Sequence, residues 1–190
     1  MSSFTVLRDV SDTLKMLFKA HIPELTDENA IVYESPAEIE PSTSAKLSVF
    51  LYQITENTHL RNLPPEFTGN QMHEPPMVVD LYYMFTPYAS SRETELIILE
   101  RVLQILHDRP VLKGEILQGQ LRESADNKEI RAVTYQLGFD EINKFWERFP
   151  NKPFKLSVAY LLTPVVIASE RFETFPRVEQ RQLNIGSFTE

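Results

Sequence analysis

The sequence predicts one α/β (α+β) domain, a mixed or antiparallel sheet flanked by helices, and three observations carry that reading. Residues 93–106 place Leu96, Leu99, Val102, Leu103 and Leu106 three and four apart, the period of a helix face. Residues 77–85 and 154–162 alternate with the period of two that a half-buried strand needs. At 190 residues the chain has the length of a single domain able to bury a substantial core. The expected division is residues 1–168 as the α/β domain and residues 169–190 as a C-terminal arm or extra strand.

Taken in order, Phe4, Leu7, Val10, Leu14, Leu17 and Phe18 predict an amphipathic helix closed by Pro23. From His21 to Ala45 six acids occur with no Lys or Arg, around a short strand at Ile31-Val32-Tyr33. Residues 46–54 predict a strand apolar on both faces, and therefore covered on both sides. Residues 55–76 carry Pro64, Pro65, Gly69, Pro75 and Pro76 and read as a long loop. The strand at 77–85 should end at Thr86-Pro87. A helix then follows a Ser90/Glu93 capping box and stops near Asp108 before Pro110. Residues 129–137 predict a strand, and residues 140–149 a short helix holding the sole tryptophan, Trp146. Residues 154–162 give the most regular alternation, ended by Thr163-Pro164. The repeated Tyr-apolar-apolar-Thr-Pro at 83–87 and 160–164 implies two strands turning out at one rim.

The composition removes several functions. Lys plus Arg is 19 against 27 Asp plus Glu, a net charge of −8, which argues against a generic binder of nucleic acid or anionic membranes. The chain has no cysteine, so disulfides, thiolate metal sites and cysteine nucleophiles are excluded. The four histidines show no metal-ligand spacing, and the five glycines form no phosphate loop, dinucleotide fingerprint or nucleophile elbow. No apolar run is long enough to span a bilayer, and the N-terminus lacks a signal-peptide pattern. No catalytic, cofactor-binding or metal residue is assigned. Asp80, in an apolar strand beside tyrosines, is the one candidate acid, against a hydrogen-bonded structural role. Glu93 and Glu95 read as charges at a helix N-terminus, and His107 and Arg109 as charges at its C-terminus. Tyr52, Tyr82, Tyr83, Phe85 and Tyr88 read as core or subunit interface.

Residues 47–57 (Leu47-Ser48-Val49-Phe50-Leu51-Tyr52-Gln53-Ile54-Thr55-Glu56-Asn57), His59-Leu60-Arg61-Asn62 and residues 75–87 resemble the strand–loop–strand core of the tail-terminator, or cap, proteins of contractile injection systems. Phage-tail-like particles of the Photorhabdus virulence cassette and antifeeding prophage type belong to that group. The resemblance continues through residues 103–112, the Trp146 helix and residues 153–165, in order over nearly the whole chain. It implies a tail-terminator-like fold and a complete cap domain without the second domain that family members often carry. It also implies a homo-hexameric ring that ends the inner tube and last sheath ring and stabilises the extended sheath. Partners would be other copies, the tube protein, the sheath protein and a second cap protein. Nucleic acid, cofactors and direct membrane insertion are not implied. The particle would assemble in the bacterial cytoplasm and leave with its cap in place. Expected interface residues are Glu38, Glu40, His59, Arg61, Arg177, Val178, Arg181, Leu183 and Ile185, with residues 178–185 available to add a strand to a neighbour. The alternatives are a baseplate or adaptor protein of the same machine, or a small acidic enzyme using Asp80.

Overall fold

The apolar spacing near the N-terminus becomes helix α1 (Val6–His21), which buries Val10, Leu14, Leu17 and Phe18. The computed structural model describes residues 5–25, 27–40, 44–149 and 152–175. Chain order continues with β1 (Ile31–Val32), β2 (Lys46–Glu56), β3 (Glu66–Thr68), β4 (Gln71–His73), β5 (Met77–Tyr88) and helix α2 (Arg92–Asp108). Then come β6 (Val111–Lys113), 3-10 turns at Gly114–Ile116 and Gly119–Arg122, β7 (Glu129–Tyr135), helix α3 (Phe139–Trp146), β8 (Val158–Ile167) and β9 (Phe172–Thr174). Six strands form one sheet in the order β1-β2-β5-β8-β7-β6, and three short ones form a second, β3-β4-β9. The β1–β2 pair is parallel and the others are antiparallel, so the large sheet is mixed, as expected.

One face of this sheet is closed by α1 and α2. Leu47, Val49, Leu81, Tyr83, Phe85, Tyr160 and Leu162 join Val10, Leu14, Phe18, Ile98 and Val102 in a single core. Phe18 meets Phe85 edge-on at 5.2 Å, an arrangement that suits the ring quadrupoles. Tyr83 and Ser11 share a buried hydrogen bond of 2.8 Å, and burial pushes the Tyr83 phenol up to about 12. The polar residues of α1 are also used. Thr5 Oγ1 and the Gln120 amide donate to Asp9 (2.8 and 3.0 Å), and Thr13 Oγ1 accepts from the Gln118 amide at 3.0 Å. Together they clamp the second 3-10 turn, where Gly119 has a positive φ and lies against the Asp9 carboxyl.

Several boundaries differ from expectation. β5 runs through Thr86-Pro87 to Tyr88. Leu47 donates its amide to Ala30 O, away from β5, so its partner Pro87 sits in a pair that exchanges no hydrogen bond, and the missing N–H costs nothing there. β8 begins at Val158 rather than Phe154, because its pairing with β5 stops at Phe85↔Val158. Phe154 packs on Trp146 instead. β8 continues through a cis Thr163–Pro164 peptide to Ile167. The two Thr-Pro pairs do not share a rim. β5 and β8 are antiparallel, so Thr86-Pro87 lies beside Leu47 and Ser48, whereas Thr163 lies opposite Arg131 near the other end. The cap of α2 is Ser91, accepting from the Thr94 amide at 3.1 Å, one residue later than expected. The long loop holds the β3–β4 hairpin. Its signal was Gly69-Asn70, a two-residue turn with positive φ at Gly69.

Candidate assembly interface

Asp80 sits where the register between β5 and β8 shifts, and that irregularity brings it beside Thr163. Its Oδ1 accepts from Thr163 Oγ1 (2.5 Å) and from Asn57 Nδ2 (2.8 Å). The carboxylate is therefore a tie between three segments, with its donors already in place. Asn57 also accepts from the His59 and Leu60 amides (both 3.0 Å), closing the turn after β2. That turn presents His59 and Arg61 to solvent, with Arg61 paired to Glu56 at 3.3 Å.

The acidic candidates lie elsewhere. Glu38 accepts from the Ser35 amide at 2.9 Å and closes a local turn. Glu40 pairs with Lys152 at 3.3 Å, while Lys152 also donates to Ile39 O at 2.9 Å. Glu40 thus has its basic partner, Lys152, within the same chain. Tyr88 bonds Pro36 O and pairs with Lys46, so this segment is near the start of β2, whereas Arg61 follows its end. Ten residues of strand separate the two ends, roughly 30 Å by strand rise. The fold therefore does not bring Glu38 and Glu40 together with His59 and Arg61. Arg177, Val178, Arg181, Leu183 and Ile185 lie outside the described residues.

Glu95 is not an exposed helix-end charge. It is buried, and it accepts from Lys155 and from Arg92 (2.9 Å). Burial alone would push its carboxyl up, but these hydrogen bonds outweigh burial and hold it below the usual range. Lys155 lies 4.9 Å from the Tyr88 ring centre, adding a cation–π contact.

Two surfaces escaped sequence reasoning. The first is the small sheet: β3 and β9 are exposed throughout, with Phe67 at 70% and Phe172 at 56% exposure. The second is an aromatic band on the sheet face opposite α1 and α2. Contacts link Tyr135, Tyr82, Tyr52, Phe145, Phe149, Trp146 and Phe154, with ring centres 4.9–6.2 Å apart. The Tyr52 hydroxyl is buried without a hydrogen-bond partner, and burial, aided by Tyr135, Tyr82 and Glu141, pushes its phenol up. Tyr52 and Tyr82 thus belong to this face, while Tyr83 and Phe85 belong to the core. Alternation could have separated them, since Tyr82 and Tyr83 are adjacent in a strand. Among the described residues no cluster of metal-ligating side chains occurs, and no helix is long and apolar enough to cross a membrane.

Residues 9–181 match the family described as the Pvc16 N-terminal domain. No curated protein matches the chain. Two solved structures are similar. One is the PVC sheath/tube terminator in the extended state, from an extracellular contractile injection system, with TM-score 0.72 and 18% identity over 96% of this chain and 64% of that one. The other is the tube-terminating cap of the anti-feeding prophage, with TM-score 0.63 and 20% identity over 94% of this chain and 61% of that one. The chain spans less than two thirds of the length of either, and at these identities the likeness is one of fold.

Proposed function

Because the chain belongs to the Pvc16 N-terminal domain family, we propose that it is a structural cap of a contractile injection particle. In this reading it ends the inner tube and the last sheath ring, and it stabilises the sheath in its extended form. The observation that carries the reading is the likeness to a sheath/tube terminator over 96% of this chain. The working unit is a homo-hexameric ring, whose head-to-tail contacts need two different patches on each subunit. The exposed apolar side chains of the small sheet and the aromatic face supply material for such patches. His59, Arg61 and Glu38 are placed at the contacts with other copies, tube and sheath, and a second cap protein is a further partner. The role is non-catalytic. Assembly takes place in bacterial cytoplasm, and the protein leaves the cell as part of the particle.

The test is cryo-microscopy of particles carrying a labelled copy, together with the solution mass of the purified protein. The expected result is a hexamer and a label at the particle end distal to the baseplate. A label at the baseplate end would assign the chain to the baseplate or an adaptor. A protein that stays monomeric at high concentration and binds neither tube nor sheath ends would sink the proposal.

A further inference from the structure

The two outer edges of the six-stranded sheet differ in kind. At one, β6 has three residues, and its last, Lys113, pairs with Glu129 at 3.7 Å. Shortness and charge are both devices that discourage strand addition. At the other, β1 covers β2 only at Leu47 and Ser48. Residues 49–56 of β2 pair with β5 on their inner side, and no backbone hydrogen bond from a described residue reaches their outer side. That edge reads Val49-Phe50-Leu51-Tyr52-Gln53-Ile54-Thr55-Glu56, with no Lys, Pro or Gly to guard it. Ile54 stands 46% exposed. The register shift between Leu51 and Gln53 twists the edge and leaves the pairing to β5 intact on both sides of it. An open, largely uncharged edge of this length is a template for one more strand.

We infer that this edge accepts an extended strand from a second copy of the chain, supplied by residues 178–185. Three observations select this donor. First, β9 pairs Phe172 with His73 and Thr174 with Gln71, and the Phe175 amide donates to Asn70 O at 2.8 Å. Phe175, the last described residue, therefore stands beside the hairpin tip, the end remote from β5. Second, residues 176–190, the fifteen that follow the last described residue, are long enough to include a strand spanning the eight residues 49–56. Third, Arg177 and Arg181 accompany the donor, while the stretch around β1, on the same sheet edge, carries six acids and no Lys or Arg between His21 and Ala45. Phe175 follows a strand of the small sheet and the acceptor edge belongs to the large one, so the contact joins two different patches, is head-to-tail and can close a ring. The inference rests on the ring reading above and names one of its contacts.

The absence of cysteine makes the test direct, because every introduced thiol is unique. Ile54→Cys is made in one preparation, and single cysteines at positions 180–185, Leu183→Cys among them, in others. Each donor is mixed with the acceptor under mild oxidation and run without reductant. The expected product is a disulfide-linked pair at twice 22.0 kDa, formed in the mixture with at least one donor and far less from either protein alone. No mixed product with any donor overturns the inference. A doubly substituted chain that closes only on itself overturns it too, because the tail would then pair with its own β2. Ile54→Lys gives an independent arm, placing an exposed charge on the edge without touching the core. It should melt like the parent yet run as a monomer, and an intact ring would overturn the inference. Cross-linked rings that fail to bind tube or sheath ends would leave strand addition standing and remove the cap reading.

Discussion

The two sheets of this molecule obey the same backbone geometry and are held together by different means. In the large sheet the central strand β5 places Leu81, Tyr83 and Phe85 at 0% exposure against α1, α2 and β8. In the small sheet every residue of β3 and β9 is exposed, and three-residue strands have little ladder to share. Hydrogen bonds to a neighbour strand give a segment its shape. Removal of apolar surface from water gives it stability, at about 1.5–3 kcal/mol for a large side chain. The large sheet has both, whereas the small one has shape with little burial, close to the limit at which a ribbon persists in water. Its exposed Phe67 and Phe172 are therefore surface available to another molecule.

The largest effect should come from the centre of the large sheet. Phe85→Ala removes a ring that touches Phe18, Tyr83 and Tyr160, and it leaves a cavity that packed neighbours cannot fill. Chemical denaturation should show a loss of about 3–5 kcal/mol. A loss below about 1 kcal/mol would mean that the two sheets do not differ as described. Next comes the tie between α2 and the segment before β8. Lys155→Met leaves the buried Glu95 carboxylate with one side-chain partner fewer, costing about 2–3 kcal/mol at neutral pH. The pH dependence has a definite sign. Glu95 titrates below its usual value of 4.5 in the folded protein, so the unfolded chain binds the proton first as pH falls. The contribution is complete above about 4.5 and is lost as pH drops through the folded value. The gap between parent and variant should narrow over that acidic window and stay constant above it.

These two sites were not equally legible in the sequence. The alternation at 77–85 and the helical spacing at 93–106 report local periodicity, and a strand and a helix formed over those residues, with ends that differ from expectation. Glu95 looked like an ordinary first-turn acid, because its partner Lys155 is 60 residues away and only the tertiary fold brings them together. Pro87 read as a strand end, since its fitness for the interior of β5 depends on which side of the ladder its nitrogen faces, a property of register. The hairpin at 66–73 was masked by the prolines around it, although Gly69-Asn70 marks its turn. Alternation could have set Tyr82 on the face away from Tyr83, but the joining of the aromatic band across strands had no local signature. Tyr52, Tyr82 and Tyr135 come from three strands, and the resemblance to cap proteins says nothing of how they meet.

A smaller effect is expected at the α1 clamp. At Gly119 a Cβ would sit 2.5 Å from the Asp9 carboxyl carbon, and φ is +56°. Gly119→Ala should therefore destabilise by about 1–2 kcal/mol, from the left-handed backbone and the forced shift of Asp9. Combining it with Asp9→Ala removes the clash and the hydrogen bonds together, so the two losses should not add. A coupling below about 0.5 kcal/mol in a double-mutant cycle would show that the contact is slack.

The smallest effect on stability is the one that bears most on the contrast between the sheets. Phe67→Ser changes a side chain 70% exposed in a strand with no buried residue, so denaturation should move by no more than about 0.5 kcal/mol. If the small sheet is a contact surface, the same change should weaken binding to tube or sheath ends by about tenfold or more, as expected when an aromatic anchor is lost. The ratio of the two effects is the informative quantity. Phe85→Ala should lower stability and assembly together, because a partly unfolded subunit cannot assemble. Phe67→Ser should separate them. If it lowered stability as much as assembly, the small sheet would be part of the folding unit. If it changed neither, its exposed rings would be idle surface, and the contacts would have to be sought on the aromatic face.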